Sequence, residues 1–483
     1  MTTIPNPVAV TPDPIARRFR RRRSPTTIIV ILTLVEIISA FETSMVYAAV
    51  PTIIKDFDSD ASTVGWAITA FLLVAAASAA VCGRLGDMFG RERVLVVLLV
   101  GAIVGSLIST IGDSVTWIVV GRAIQGVAGA ILPLLIGMAR EHLPQDKVPV
   151  AVAMISGSAV AAGAASAYVA GVVIDHASWH LLFIIAAVYA AFTLALVLFA
   201  LPWKIPAGTT KKIDYIGTIA FAPAIAGILL AVNKAQTWGW TDTKTLGLLT
   251  AGIFVLVLWV MWELRVTDPI ANVRLFTKRK VTLTMLITFM LAAGPFGIAP
   301  MINPIILQST ESGAFGVGMS PTDAGLLALA GALIGFCFTP ISGRLTRAVG
   351  SRVALFVGCA LYMVSYGLML FTYHSAWGMF FVVATGSTAV AFSYTAIPNL
   401  VVEAVPAENT SEANGLNSVV RSTGQGIGTS IASTILVASA VAGSVAPTLG
   451  GLQAVIAMMA IGTLVTFVLA LRLKPGSVYT DAG

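Results

Sequence analysis

The sequence predicts an all-helical membrane protein of fourteen spans, and three observations carry that prediction. Hydrophobic residues fill 57% of the 483 positions and charged residues only 11%, against roughly a quarter charged in a soluble domain. The apolar excess is gathered into runs of about 20 residues, the length of one helical crossing. Lys and Arg then fall almost entirely in alternate loops, the pattern of a multi-spanning chain. Lipid leaves no water for backbone groups, so each run must be a helix or a strand of a closed barrel. Barrel strands would be about ten residues long and alternating, and these runs are neither.

In chain order the runs are 26–49, 63–83, 93–111, 115–139, 149–173, 180–201, 214–233, 245–265, 281–307, 321–346, 352–372, 377–400, 410–439 and 451–472. Residues 1–25 form an Arg-rich tail with six arginines, Arg17, Arg18 and Arg20 to Arg23, among several prolines. The stretch after it is longer than a signal core and contains Glu36 and Glu42, so it reads as an uncleaved first span. With the amino terminus inside, 24 of the 29 Lys and Arg residues lie on the cytoplasmic side and only Lys55, Lys234 and Lys244 outside. Both termini are therefore expected in the cytoplasm. The net charge of +7 reports membrane orientation, and no nucleic-acid partner is implied. Cys82, Cys337 and Cys359 lie inside apolar runs without ligand spacing, which reads as reduced thiols. No metal or cofactor is expected.

Shifted by 260 residues, the second span falls on the tenth without a gap: Gly83-Arg84-Leu85 meets Gly343-Arg344-Leu345, and Gly90 meets Gly350. The same shift carries the first, fourth and fifth spans to the ninth, twelfth and thirteenth. Two parallel six-helix halves with a site between them near mid-membrane describe a transporter. The expected organisation is a six-helix bundle at 26–201, two inserted helices and linkers at 202–280, a second bundle at 281–472, and a tail at 473–483.

Four ionised residues sit well inside spans: Glu36, Glu42, Arg122 and Arg421. A charge at the centre of a span costs about 2.5–3.5 kcal/mol on insertion scales, so each needs a reason to be there. At about 100° per residue, Glu36, Ser39, Glu42, Thr43 and Tyr47 share one arc of the first helix. A carboxylate facing a poorly hydrated cavity is suited to exchanging protons; the alternative is a fixed partner for an arginine. Arg122 stays charged at any relevant pH and, with Gln125 one turn on, either tunes a nearby carboxylate or bonds neighbouring carbonyls. Arg421 lies on a polar stripe with Asn414, Asn417, Ser418 and Gln425, which either lines a cavity or glues helices together.

Gly83-Arg84-Leu85-Gly86-Asp87-Met88-Phe89-Gly90-Arg91 resembles the loop motif of the major facilitator superfamily. Val119-Val120-Gly121-Arg122-Ala123-Ile124-Gln125-Gly126 resembles its fourth-helix motif, and Phe41-Glu42-Thr43-Ser44-Met45-Val46-Tyr47 is similar to the first helix of its fourteen-helix drug–proton antiporters. Trp66, Trp238, Gly415, Asn417, Gly424 and Gly428 add matches to the same group. The resemblance implies proton coupling through Glu42, Glu36 and Arg122, and a substrate cavity with Glu36, Thr43, Tyr47, Gln125, Asn417 and Arg421. It also implies a cytoplasmic gate at Gly83, Asp87, Gly90 and Arg91, with Asp87 meeting the start of the thirteenth helix. Asn409 and Glu412 there have capping-box spacing. Glu403, Glu408 and Glu412 form either a partner for the basic loop or a solvated acidic loop. Three positions depart from the pattern: Glu42 replaces Asp, Arg347 takes the Asp position in the second repeat, and Ser166-Ala167 stands where exporters carry Gly-Pro.

The expected function is proton-coupled export of amphiphilic small molecules by alternating access, in a bacterial inner membrane and as a monomer. Proton-driven uptake or facilitated entry of a metabolite is the competing reading. A channel or membrane sensor is the reading from another class. No nucleotide loop, Ser/His/Asp group or metal-ligand cluster marks an enzyme.

Overall fold

The computed structural model describes residues 24–59, 61–201, 214–269, 271–309, 316–439 and 448–473. The expected tails at 1–25 and 473–483 lie almost wholly outside these residues, as does the 204–212 loop. Among the described residues thirteen segments are long and apolar enough to cross a membrane. The one expected span outside this set is the thirteenth, the 29-residue helix Thr410–Ala438, which carries the polar residues Asn414, Asn417, Arg421 and Gln425. The protein is a multi-pass membrane protein.

Some of the helices start where the sequence caps them. Ser24 accepts a hydrogen bond from Thr27 N at 3.2 Å with Pro25 opening the first helix, Pro25–Asp56. Ser320 does the same for Asp323 N, ahead of Pro321 and the tenth span, Pro321–Val349. A side-chain acceptor and a proline at the first position satisfy or remove backbone donors that the helix itself leaves free.

Two spans are broken, each for a steric reason. The fourth runs as Val115–Gln125, a tight turn Gly126–Ala130, then Ile131–His142. A Cβ on Gly126 would come within 2.7 Å of Phe71 O, and one on Gly129 within 2.5 Å of Ala75 Cβ, so the turn lies directly on the second span, Ala61–Phe89. The ninth is Arg279–Leu291 and Gly297–Gln308, parted at Gly294-Pro295, where proline withholds a donor. Gly424 and Gly428 of the thirteenth span cover that break; a Cβ on Gly428 would meet Ala293 O at 2.1 Å.

Two separate apolar cores match the repeat. One draws on the spans from the first to the sixth, His180–Ala200, and the other on those from the ninth to the fourteenth, Leu449–Leu471. The inserted helices, Tyr215–Trp238 and Thr243–Glu263, pack on each other and against the second and thirteenth spans through Phe221, Ile225, Trp259 and Leu416.

The stretch expected to be a loop between the second and third spans is helical through Phe89. The chain turns at Gly90 alone (φ 102°) and the third helix, Arg91–Ile111, begins at once. Gly350, 260 residues on, turns the same way (φ 91°). Only glycine tolerates that backbone without strain.

The connection between the inserted helices is likewise shorter than the apolar pattern implies, with helix through Trp238 and a turn at Gly239. In a cysteine-free background, Thr241→Cys is expected to react with an impermeant maleimide added outside whole cells, and Ala207→Cys to react only after permeabilisation. The opposite pattern would reverse the orientation read from the positive charges.

Candidate functional site: a cavity between two halves, closed at one end

Between the halves lies a cavity of ≈ 1070 Å³. It reaches Asp175, Gln308 and Thr322, which sit at the helix ends opposite the Gly90 turn. Its walls differ. The second half supplies aromatic rings: Phe296 lies 4.6 Å from Tyr394, and Tyr362 stacks on Tyr366 at 6.0 Å. The first half supplies mostly small residues, Ala75, Ala159, Gly163 and Gly171 among them, with Phe71 and Tyr168 as its two rings.

Of the six residues expected to form the cavity, Glu36, Thr43 and Arg421 line it and Tyr47, Gln125 and Asn417 do not. Glu36 is 2% exposed, and its Oε2 has no hydrogen-bond partner among the described residues. Arg421 faces it across the cavity as the charge acting on it, and the two do not close into an ion pair. The Arg421 guanidinium lies 5.3 Å from the centre of the Tyr394 ring. Tyr47 is half-exposed away from the lining. Asn417 donates to Thr288 Oγ1 at 2.7 Å, tying the thirteenth span to the ninth. The polar stripe of the thirteenth span is thus divided: Ser418, Arg421 and Gln425 face the cavity, while Asn417 holds helices together.

Glu42 is turned away from the cavity into the first bundle. It is fully buried; its Oε1 accepts from Gln125 Nε2 at 3.3 Å and lies 3.5 Å from Ser106 Oγ, while Oε2 has no partner among the described residues. Arg122 does not reach this carboxylate. It donates to the main-chain oxygens of Glu42 (2.8 Å) and Ala67 (3.3 Å) and to Gln125 Oε1 (3.0 Å), and it lies over the Phe71 ring. Gln125 therefore stands between the arginine and the acid. Ser106, which the sequence reading missed, sits on the third span with nothing nearby in sequence to mark it.

At the opposite end the halves interlock. Asp87 Oδ2 accepts from the backbone N–H of Glu412 at 2.9 Å, so it occupies the place a capping side chain would take at the start of the thirteenth span. Asn409 has the capping position but not the capping bond; its amide donates instead to Glu412 Oε2 at 3.0 Å. Asp87 also pairs with Arg91 at 2.7 Å, and Arg91 reaches Glu141, Ser411 and the carbonyl of Ala407. Arg84 pairs with Glu412 at 3.0 Å, both buried. A Cβ on Gly83 would meet Ser411 O at 2.6 Å, and one on Gly415 Ala79 O at 2.1 Å. The acidic segment splits its tasks: Glu412 answers the basic motif, Glu403 pairs with Lys280 at 2.6 Å, and Glu408 is exposed.

The second repeat builds a weaker copy. Gly343 would bring a Cβ within 2.7 Å of Val150 Cα. Arg347, in the place of Asp87, reverses the charge and pairs with Asp146 at 3.2 Å, itself partly exposed before the fifth span, Val148–His176. One grouping could offer metal ligands, Glu92, Glu141 and His142. His142 lies 2.7 Å from Glu92 and Arg91 2.7 Å from Glu141, so each of the three side chains already has a partner within the protein. Sequence spacing hid it because Glu92 lies fifty residues from the adjacent pair.

The comparisons agree with this architecture. The Major Facilitator Superfamily pattern matches residues 32–429 and, in a second alignment, 284–481. The tetracenomycin C resistance and export protein of Streptomyces glaucescens is 29% identical over 89% of this chain and 79% of its own. The uridine/deoxyuridine transporter of Lactococcus lactis subsp. cremoris is 27% identical over 80% of this chain and 81% of its own. The human organic anion transporter MFSD10 shares the fold, with a TM-score of 0.65 and 14% identity over 93% of this chain and all of its own. Two six-helix bundles around a central cavity, with two helices inserted between them, accordingly belong here to a transporter of the Major Facilitator Superfamily.

Proposed function

We propose that the protein exports amphiphilic small molecules in exchange for protons, by rocking its two bundles about the central cavity. The observation that carries this reading is a cavity sealed at the Asp87 end that holds an acid, Glu36, whose Oε2 has no bonded partner among the described residues. A coupled carrier must offer its site to one side at a time, and an intramembrane acid there is a candidate functional group by default, suited to taking up and releasing protons. The count of positive charges supports an outward-opening cavity with both termini inside, in a bacterial cell membrane. The Streptomyces relative, named for export, supports the direction. Protons entering from outside reach Glu36 in the cavity, and Glu42 is the second proton site, set by Gln125 and Ser106.

The competing reading is uptake. Ser166 donates to Phe41 O at 3.0 Å where exporters of this type carry a Gly-Pro pair, and the fifth span is unbroken from Val148 to His176. Of its glycines only Gly157 makes a tight contact, against Thr339 of the tenth span; Gly171 faces open space. The Lactococcus relative, named for uridine and deoxyuridine, favours the same side. The deciding measurement uses right-side-out vesicles with acid outside and cargo found by a thermal-shift screen. Preloaded cargo is expected to leave faster under the gradient. Accumulation inside would establish uptake.

A further inference from the structure

We infer that the cargo is an uncharged planar aromatic molecule with a hydrogen-bond donor at one end and an acceptor at the other, bridging Glu36 and Arg421. The inference rests on the proposed transport function and names the substrate class of the same cavity.

Charge balance is the first ground. Away from its mouth, where Asp175 lies, the cavity presents one acid, Glu36, and one guanidinium, Arg421, from opposite halves, and among the described residues the two do not pair with each other. A cationic cargo would satisfy Glu36 and be forced against Arg421, and an anion the reverse. Either leaves one of the two charges without a counter-charge at a site where Glu36 is buried, which is costly. A neutral molecule that donates to Glu36 and accepts from Arg421 answers both charges and adds none. Hydrogen bonds to charged groups are also the stronger kind.

Shape is the second ground. Arg421, Tyr394, Phe296 and Tyr362 follow one another in a chain of contacts, with Phe296 and Tyr362 6.4 Å apart. The first half lines the same cavity with small residues, Ala159, Gly163 and Gly171 among them, and with the rings of Phe71 and Tyr168. Phe296 is inclined to Tyr394 at 60° and to Tyr362 at 59°, so a flat aromatic cargo would meet one ring by its face and the next by its edge, each such pair adding about 0.5–1.5 kcal/mol beyond burial.

Such binding excludes the proton. A protonated Glu36 can no longer accept on the oxygen that carries its hydrogen, so acid weakens cargo binding. Competition of this sign is what exchange requires. An anion held by Arg421 would instead bind better once Glu36 was protonated, the sign of cotransport.

Equilibrium dialysis of the purified full-length protein tests this with four probes: 2-aminoanthraquinone, anthraquinone-2-sulfonate, ethidium and tryptophan. The aminoanthraquinone is expected to bind at least about 10-fold tighter than the rest, the size of one lost hydrogen bond to a charged group. Its affinity should fall from about pH 8 to about pH 5, as protonation removes the carboxylate acceptor. Glu36→Gln should weaken it and abolish the acid sensitivity, and Arg421→Gln should weaken it and keep that sensitivity. Should Glu36→Gln fail a thermal-melt check, Glu36→Asp should bind more weakly and remain acid-sensitive. Tightest binding of the sulfonate, ethidium or tryptophan, indifference to acid, or no binding at all would overturn the assignment. Vesicle transport of the aminoanthraquinone inward would overturn export while leaving this site standing.

Discussion

Replacing Glu42 with Gln is expected to abolish pH-driven transport while leaving protein abundance and thermal stability near those of the parent. The side chain is fully buried, so a disruptive change would be felt in folding. Gln is close in shape and keeps an oxygen for Gln125 Nε2 and Ser106 Oγ, the contacts Glu42 makes now. It cannot take up or release a proton at transport pH. Each pH unit is worth 1.36 kcal/mol per proton, so one exchanged proton sustains roughly a tenfold concentration ratio per unit of gradient. That ratio is expected to collapse to about one in the variant, while downhill exchange persists. Reconstituted vesicles under an imposed gradient measure it. Uphill transport with normal pH dependence in Glu42→Gln would move the coupling role to Glu36.

Asp87→Asn is expected to open the sealed end. Asp87 carries the negative charge that holds the thirteenth span's first turn and Arg91 together. A carboxylate at a helix start contributes up to about 2 kcal/mol when partly buried, and losing one partner of a buried ion pair costs about 3–5 kcal/mol. Part of that is recovered, because Arg91 keeps Glu141 and the Ala407 carbonyl. A remaining shift of about 2 kcal/mol moves a two-state population by roughly 30-fold. Ser418→Cys reports it: Ser418 lines the cavity on the same helix as Glu412, and an impermeant reagent added on the Asp87 side reaches it when that end opens. Its alkylation is expected to be at least about 10-fold faster in the Asp87→Asn background, the shift allowing for partial compensation. An unchanged rate would leave Asp87 a local cap without a gating role.

The sealed end was partly legible because its glycines and charges lie in one short motif. Asp87 was expected at the start of the thirteenth helix, and it takes the capping bond there that Asn409 was expected to make. Arg122 shows the opposite limit. Its depth was plain from the apolar run around it, yet its bonds go to carbonyls and to Gln125 rather than to the Glu42 carboxylate. An arginine fork can satisfy either kind of acceptor, and only the placement of the first and fourth helices selects between them.

By itself the sequence determined the number of spans, their order and the doubling of six. Lipid demands an apolar run of fixed length for every crossing, and the 260-residue shift preserves glycines at the same turns. What the tertiary structure alone decided is how one helix's polar arc is shared out. Glu36 and Glu42 lie on the same broad arc of the first span, yet one faces the cavity between the halves and the other is sealed against the third and fourth spans. Helical spacing fixes where a side chain leaves its own helix. What it meets is set by helices 64 and 83 residues away, Ser106 and Gln125 among them, and by the distance that Gly105 and Gly121 allow between those helices.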